Sequence, residues 1–593
     1  MLSSFTVNTV RQFSNPWILR NWRHAVLSIG VGCAYFLISL RYSGPAYLED
    51  EIGYLANAAF FAGHKIDAAS SFHAGYSLFI APLFLLSDTY VVWKGVLAIN
   101  AILWAVNFLL LHSILRRLLP TANGSHLVTA TLVSALYPTW IISAGYAFAT
   151  SAFVTVFLAS IFAFFFWTKN NPFSLAPHSG LVGYLYWVHP TGAAVALASL
   201  LAVLFNTYRE RDIKSLCLHV AAIAAFIIAY KYGIHRWMAE SMTPNGYKPH
   251  FHYPGLTSAL QTVFTWRSAA LAATFLVGQF AYFIIASFGI SFKGMLFCAH
   301  QLTNGRRHDA RRADGTTTHQ VYIFICAAPL SIMGLAAISL LQWDHLEGDY
   351  WIYGRYLDGA ILPVLATGLV IFQAEMRIAL VSIFLLSAGF LFGATVPPGI
   401  QHNIVNSISF WPQYLTHGSS FFVWMLFGAS ALAATAWSGK RLAIGLMLFA
   451  FPISVSRQIM WHDEILAEFS APSSLIEIIK DNFASETCVG FNPALPADAT
   501  LFQVERYHLN SFYLFNYEYR RMSPAEWVAQ CNGPFLTYDI SNLIESGHAR
   551  LVAREIKSNL FLLQKSDRPN LKIPKGTIAD IEVGTQLLSV YPR

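Results

Sequence analysis

The chain has 593 residues, of which 55% are hydrophobic, 15% aromatic and only 12% charged, with a mean hydropathy of +0.48 and a net charge of +7. Ordinary soluble domains carry about 25% charged residues, so a string of soluble domains is excluded. The pattern is that of an all-α polytopic membrane protein, since many separate apolar stretches approach the ~20 residues a helix needs to cross ~30 Å of hydrocarbon.

Basic residues set the orientation. They cluster at Arg11/Arg20/Arg23, Arg116/Arg117, Arg209/Arg211/Lys214, Arg306/Arg307/Arg311/Arg312 and Lys440/Arg441, and the positive-inside tendency places these on the cytoplasmic side. The net charge is thereby accounted for without a nucleic-acid partner. Crossings are expected over 24–40, 90–115, 126–142, 150–167, 180–190, 191–206, 215–233, 268–297, 320–341, 359–373, 378–396, 416–437 and 441–458, within a range of about 11–13 helices. The stretch 75–87 reads as a half-inserted helix on the outer side. The first span does not read as a cleavable signal, because a long segment precedes it and no A-x-A-like site follows. Thirteen crossings put the C-terminus outside.

The outer loops, 41–74, 235–266, 342–358 and 397–415, are aromatic and hold most of the carboxylates and histidines outside the tail. Chemistry is therefore expected on the outer face. Directly after the first span stands Glu49-Asp50-Glu51. Ionised groups at a membrane boundary are costly to bury, so three together point to a polar site. Asp50 and Glu51 are the candidate catalytic carboxylates, able to take a proton from an attacking hydroxyl. Tyr54, at i+4 from Asp50, falls on the same helix face. His73 precedes the half-inserted helix and is a candidate to line the same cavity.

Lys94, near the start of a span, could neutralise a lipid phosphate or snorkel to the interface. His189-Pro190 reads as a helix break rather than a ligand. Lys248, His250 and His252 lie in an outer loop without a third metal ligand nearby. In QWDHLEGDYWIYGRYLDGAILPVL, Arg355 and Tyr356 sit at the lipid–water boundary on the side where basic residues are scarce. A guanidinium there is a bidentate anchor for phosphate. The sequon Asn123-Gly-Ser125 falls on the inner side and is expected to be unused.

From about Trp461 the apolar runs shorten and charge rises. Residues 1–460 are thus read as a transmembrane domain and 461–593 as an α/β domain outside. In the latter, TCVGFN, ATLFQVERY, NSFYLFNY, GPFLTYDI and NLFLLQK read as strands, and PAEWVAQ and SSLIEIIKDNF as helices. Cys33, Cys217, Cys298 and Cys326 belong to spans, whereas Cys488 and Cys531 are the pair available for a bridge in an oxidising compartment.

No phosphate-binding glycine loop, dinucleotide fingerprint, CxxC pair or HExxH helix is present. An outward-facing site without nucleotide-binding apparatus suggests a donor carried on lipid. The motifs LEDEIGYLANA, FHAGYSLFIAPLFLL, WKGVLAINAIL, LHSILRRLLP, ALYPTWIISAGY and YGRYLDGAILPVL, in that order, resemble the GT-C glycosyltransferases. These polytopic enzymes use polyprenyl-phosphate sugars and include protein O-mannosyltransferases, lipid A aminoarabinose transferases and actinobacterial arabinosyltransferases. The resemblance implies an inverting transfer to a glycan, lipid or protein acceptor. It implies a base at Asp50 beside Glu51, and Lys94 and Arg355 as holders of the lipid phosphate. It also implies a bacterial cytoplasmic membrane, with the site on the periplasmic side. Some relatives use a divalent metal, Mg or Mn, and others do not. The segment SAGYAFATSAF departs from the pattern by lacking the carboxylate many relatives carry there. Two alternatives are a transporter or flippase, which would place charges mid-span in inverted repeats, and an O-antigen-ligase-like enzyme, which would need several Arg in a large outer loop.

Overall fold

The computed structural model describes residues 22–46, 48–66, 72–168, 171–242, 265–304, 318–341, 355–372, 440–461, 473–492, 494, 501–556, 559–572 and 581–583. α1 (Trp22–Ser39) and α2 (Leu48–Phe61) flank the first turn, followed by α3 (Gly75–Ile80) and a 3-10 turn (Ala81–Leu85) that together are too short to cross a membrane. α4 (Thr89–Leu118) is the longest helix described, at 30 residues. Asp88 starts it by accepting from the amides of Tyr90 and Val91 at 2.8 and 3.3 Å. Arg116 and Arg117 end it, their charge opposing the negative end of the helix dipole.

The crossing expected over 126–142 is divided into α5 (Gly124–Ser134) and α6 (Pro138–Ser143), because Pro138 has no N–H to continue the ladder. α7 (Thr150–Phe164), α8 (Ala176–Val188) and α9 (Gly192–Glu210) follow, the last two separated at His189-Pro190 as expected. α10 (Ile213–Ile228) runs through a π segment (Ala229–Ile234) into α11 (His235–Met242). The crossing expected over 268–297 is also two helices, α12 (Trp266–Ile285) and α13 (Ile290–Asn304). Phe288 and Gly289 between them adopt φ of 52° and 74°, which no α-helix accommodates. α14 (Thr318–Leu340), α15 (Arg355–Ile371) and α16 (Lys440–Trp461) complete the body. The crossings expected over 378–396 and 416–437 lie outside the described residues. Among the described residues six helices are long and apolar enough to cross a membrane, with shorter apolar helices at Gly75–Leu85, Thr150–Phe164, Leu357–Ile371 and Ala443–Ser456.

The helices pack through small residues and satisfied polar groups. α13 meets α15 so closely that a Cβ on Gly294 would fall on the Val364 carbonyl, and one on Gly368 on the Ile290 carbonyl. Such backbone approach is how helices associate where lipid removes the hydrophobic drive. Between α7, α8, α9 and α10, buried His178 bonds the Ser160 carbonyl at 2.9 Å and Ser199 Oγ at 2.6 Å, and Ser199 also meets His219 at 3.1 Å.

Beyond the helical body come α17 (Ser474–Asn482), β1 (Cys488–Phe491), α18 (Leu501–Tyr513), β2 (Glu518–Arg521), α19 (Pro524–Gln530), β3 (Phe535–Thr537), α20 (Ser541–Glu545), β4 (Ala549–Glu555), β5 (Phe561–Lys565) and β6 (Ile581–Val583). They form one sheet of order β2-β1-β3-β5-β4-β6. β1 runs parallel to β2 and β3, and the remaining pairs are antiparallel. Cys488 and Cys531 are joined, tying β1 to the end of α19. Two of the expected strands are corrected: ATLFQVERY and NSFYLFNY fall in or just past α18. Residues 506–515 are all buried, and Arg506-Tyr507-His508-Leu509-Asn510 alternates polar and apolar residues, the period-2 pattern of a strand.

This region sits on the α2 end of the helical body. α18 packs on α2, Phe515 lies edge-on to Phe84 and His64 at 5.2 and 5.0 Å, and Lys480 Nζ donates to Thr89 Oγ1 at 2.8 Å. Within it, Arg506 Nη2 meets Glu555 Oε1 at 2.6 Å with side chains only 4% and 6% exposed. Breaking a buried pair from one side strands a charge, which costs about 3–5 kcal/mol, whereas an apolar replacement of both partners is often neutral. Glu555→Ala should therefore lower the thermal unfolding midpoint markedly, and Arg506→Met/Glu555→Leu should recover most of the loss.

Candidate active site

α2 carries the acidic cluster in its first turn, and its carboxylates have different surroundings. Glu51 is fully buried. Its Oε2 accepts the amide of Ala46 at 2.7 Å, and its Oε1 accepts the amide of Ala147, 96 residues on, also at 2.7 Å. Asp50, by contrast, is partly exposed. The Glu49 side chain is outside the described residues.

The turn that Glu51 grips is the SAGYAFATSAF segment, which lacks a carboxylate of its own. Asn100 of α4 holds the same turn by donating to the carbonyls of Ala144 and Tyr146 at 3.2 and 2.8 Å. Tyr76 donates to Asn100 Oδ1 at 3.0 Å. Tyr54 is buried with its ring edge-on to Tyr76 at 5.6 Å, and Ser77 Oγ donates to the Tyr54 carbonyl at 2.8 Å. α2, α3, α4 and the 144–149 turn are therefore one hydrogen-bonded unit.

Tyr54 forms one wall of a small cleft of about 30 Å³, shared with Ala149, Thr150, Phe153, His189, Thr191 and Gly359. These residues come from the starts of α7, α9 and α15. His189 was read from the sequence as a helix break. It is one, and its ring also lines the cleft. Its Nδ1 accepts the Thr191 amide at 3.3 Å and lies 2.8 Å from Thr191 Oγ1.

Gly359 follows Asp358, a carboxylate the sequence reading passed over. Asp358 is fully buried and accepts from Tyr137 at 2.6 Å, Thr139 at 2.7 Å and Tyr282 at 2.9 and 3.0 Å. Three hydroxyls from α12 and the α6 end thus fix the start of α15. A carboxylate at the entry of an apolar run was the available signal.

The other candidates are placed as follows. Lys94 Nζ donates to the carbonyls of Leu40 and Tyr42 at 3.0 and 3.1 Å, a cation at the negative end of α1. His73 Nδ1 bonds the Tyr186 carbonyl, with its ring against Tyr186 and Tyr230 at 5.0 and 4.9 Å. Burial pushes its pKa down to about 4; the Tyr186 hydrogen bond opposes this, and nearby His235 adds to it. Arg355 and Tyr356 occupy the first turn of α15, and their side chains, like the loops 243–264 and 342–354, are outside the described residues. Among the described residues no three His, Cys, Asp or Glu side chains gather as a metal site. Glu51 already accepts a backbone amide at each of its oxygens.

This architecture, a helical body with a carboxylate-bearing helix after its first apolar helix and a sheet region seated against that helix, has likenesses among solved structures. The chain is similar to ArnT from Cupriavidus metallidurans bound to undecaprenyl phosphate, with a TM-score of 0.52 and 12% identity over 91% of this chain and 97% of that one. Two weaker likenesses are to arabinosyltransferase EmbB from Mycobacterium smegmatis (TM-score 0.36, 16% identity, 74% of this chain and 40% of that one) and to the oligosaccharyltransferase AglB from Archaeoglobus fulgidus (TM-score 0.36, 11% identity, 93% and 75%). At such identities the likeness is one of fold alone. No family model and no curated protein sequence matches the chain.

Glu51→Gln replaces one of the two acceptor oxygens by an amide donor facing an N–H. It should destabilise the folded chain by about 1–3 kcal/mol, the cost of an unmade buried bond, seen as a lower unfolding midpoint. For His73, the folded pKa of about 4 lies below the ordinary 6.5, so between these values the unfolded chain binds more protons. Its contribution to stability is complete above pH 6.5 and is lost as pH falls toward 4. His73→Gln should flatten the pH dependence of the unfolding midpoint across that window.

Proposed function

We propose that this protein is an integral-membrane glycosyltransferase that moves a sugar from a polyprenyl-phosphate donor to a glycan, lipid or protein acceptor. The observation that carries the reading is the partly exposed carboxylate of Asp50 at the start of α2. It stands one helical turn from the cleft wall Tyr54, in a fold shared with a protein solved with undecaprenyl phosphate bound.

Asp50 takes the proton of the acceptor hydroxyl as its oxygen attacks the anomeric carbon. The bond from that carbon to the phosphate oxygen breaks, the electron pair leaves with the polyprenyl phosphate, and the configuration inverts. Glu51 is a positioning residue that holds the backbone on either side of the base. Lys94 and Arg355 are the proposed cations for the lipid phosphate, with Tyr356 and His73 at the margin of the cavity. Lys94 reaches that role from its seat on the Leu40 and Tyr42 carbonyls. The lipid-borne donor is supported by the surrounding apolar helices, and a bacterial cytoplasmic membrane, with the site on its outer face, by the basic inner loops. Acceptor selection is proposed for the domain 461–593, a reading supported by the packing of α18 on α2.

Removing a general base costs about 10²–10⁴-fold in rate. Asp50→Asn should lower transfer from a panel of polyprenyl-phosphate sugars at least a hundredfold, with donor binding retained. Equal turnover by parent and variant would remove Asp50 from the mechanism.

A further inference from the structure

At the end of α1 and α4 remote from α2, four basic side chains gather without an acid. Arg23 and His24 stand in the first turn of α1, and His112 and Arg116 form an i, i+4 pair near the end of α4. The rings of His24 and His112 stack with centroids 4.3 Å apart and planes at 27°, and the charge of Arg116 acts on both. None of α1, α4, α5 and α7 carries an Asp or Glu. Among the described residues no ion pair reaches Arg23 or Arg116. We propose that this cluster binds the phosphate of an acidic membrane lipid, in the leaflet opposite the candidate active site.

The site is built into a packed interface. Ser28 Oγ donates to the Ala105 carbonyl at 2.7 Å, and a Cβ on Gly32 would come within 3.1 Å of the Ala101 carbonyl oxygen. α1 therefore lies on α4 along a face whose last layer is the His24–His112 stack. His112 is only 4% exposed, and its Nδ1 is sealed with no hydrogen-bond partner among the described residues. An N–H at that nitrogen would be a buried donor left unbonded, so the neutral ring carries its proton on Nε2, ready to donate to an anion.

The neighbouring Arg117 shows by contrast what is particular to Arg116. Its guanidinium lies over the rings of Phe162, Phe165 and Phe166 at 5.0, 5.7 and 4.6 Å, and among the described residues Arg116 has no such aromatic seat. A guanidinium fits phosphate as a two-pronged donor, and basic pockets between spans are a recurrent seat for anionic head groups. Depth agrees with chemistry. The 18 residues of α1 rise about 27 Å, so its first turn reaches the phosphate layer on one side when its last turn reaches the other. Trp22, 60% exposed at that first turn, is the residue type that settles at head-group level.

The test is titration of the full chain, in neutral detergent, with phosphatidylglycerol, with phosphatidylcholine of the same acyl chains and with inorganic phosphate, bound ligand being counted by native mass spectrometry. The parent should bind phosphatidylglycerol more tightly than phosphatidylcholine. Arg116→Gln should weaken phosphatidylglycerol binding about tenfold, the value of a charge-assisted hydrogen bond, whereas Arg117→Gln should leave it nearly unchanged. His112→Phe keeps the stacked ring and removes both nitrogens, so it should act in the same sense as Arg116→Gln while the unfolding midpoint holds. Inorganic phosphate bound with this variant pattern, beside no preference between the two lipids, would keep the anion site and overturn its lipid source. A parent that prefers neither phosphatidylglycerol nor inorganic phosphate overturns the site, as do equal losses in Arg116→Gln and Arg117→Gln. The readout is binding alone, so it stands apart from the transferase reading.

Discussion

Glu51 accepts one backbone N–H before α2 and another before α7, from inside a site closed to solvent. Two charge-assisted bonds to amides that have no other partner in a helix or strand are worth more than surface contacts of the same length, because little water competes for them. They join parts of the chain 96 residues apart. Asp50 is the next residue along the helix, so the position of the proposed base depends on the clamp. The cleft depends on it too, since Ala149 and Thr150 follow the gripped Ala147 within one turn.

A second constraint is the seam between the helical body and the sheet domain. Residues 506–515, in and just past α18, are buried between two partners, the sheet, where Tyr507 meets the Phe491 and Tyr519 rings, and the α2 face of the helical body. Phe512 and Phe515 insert among Phe84, Trp93 and His64. Lys480 lies 5.5 Å from the Tyr90 ring and 5.8 Å from that of Tyr513, where its ammonium gains from both faces. Acceptor selection by this domain would act through a packed joint, not through a tether.

Much of the architecture was legible in the sequence because apolar length is a local property. The spans at 24–40, 90–115 and 320–341 correspond to helices whose ends differ from the expected ones by a few residues. Where the expectation failed, the cause was also local but subtler. Pro138 interrupts a ladder, a left-handed Phe288 divides a run, and α18 carries a polar–apolar alternation that reads as a strand. The i, i+4 pairing of Asp50 and Tyr54 on one helix was legible from their spacing. Asp358 and His189 were not: a carboxylate bonded by three hydroxyls reads in sequence like any residue at a span entry, and a histidine before proline reads as a break.

The sequence by itself determined that the chain is membrane-borne, which loops are basic, and that three adjacent carboxylates, Glu49-Asp50-Glu51, follow the first span. Those properties follow from composition and from spacing within one element. Only the tertiary structure decided which of the adjacent carboxylates is spent on backbone amides and which is partly exposed. It also decided that residues near 54, 150, 189 and 359 share one cleft. The reason is that hydrogen-bond partners for Glu51 and walls for the cleft come from helices far apart along the chain. Their meeting is set by how the helices pack, and no local pattern records it.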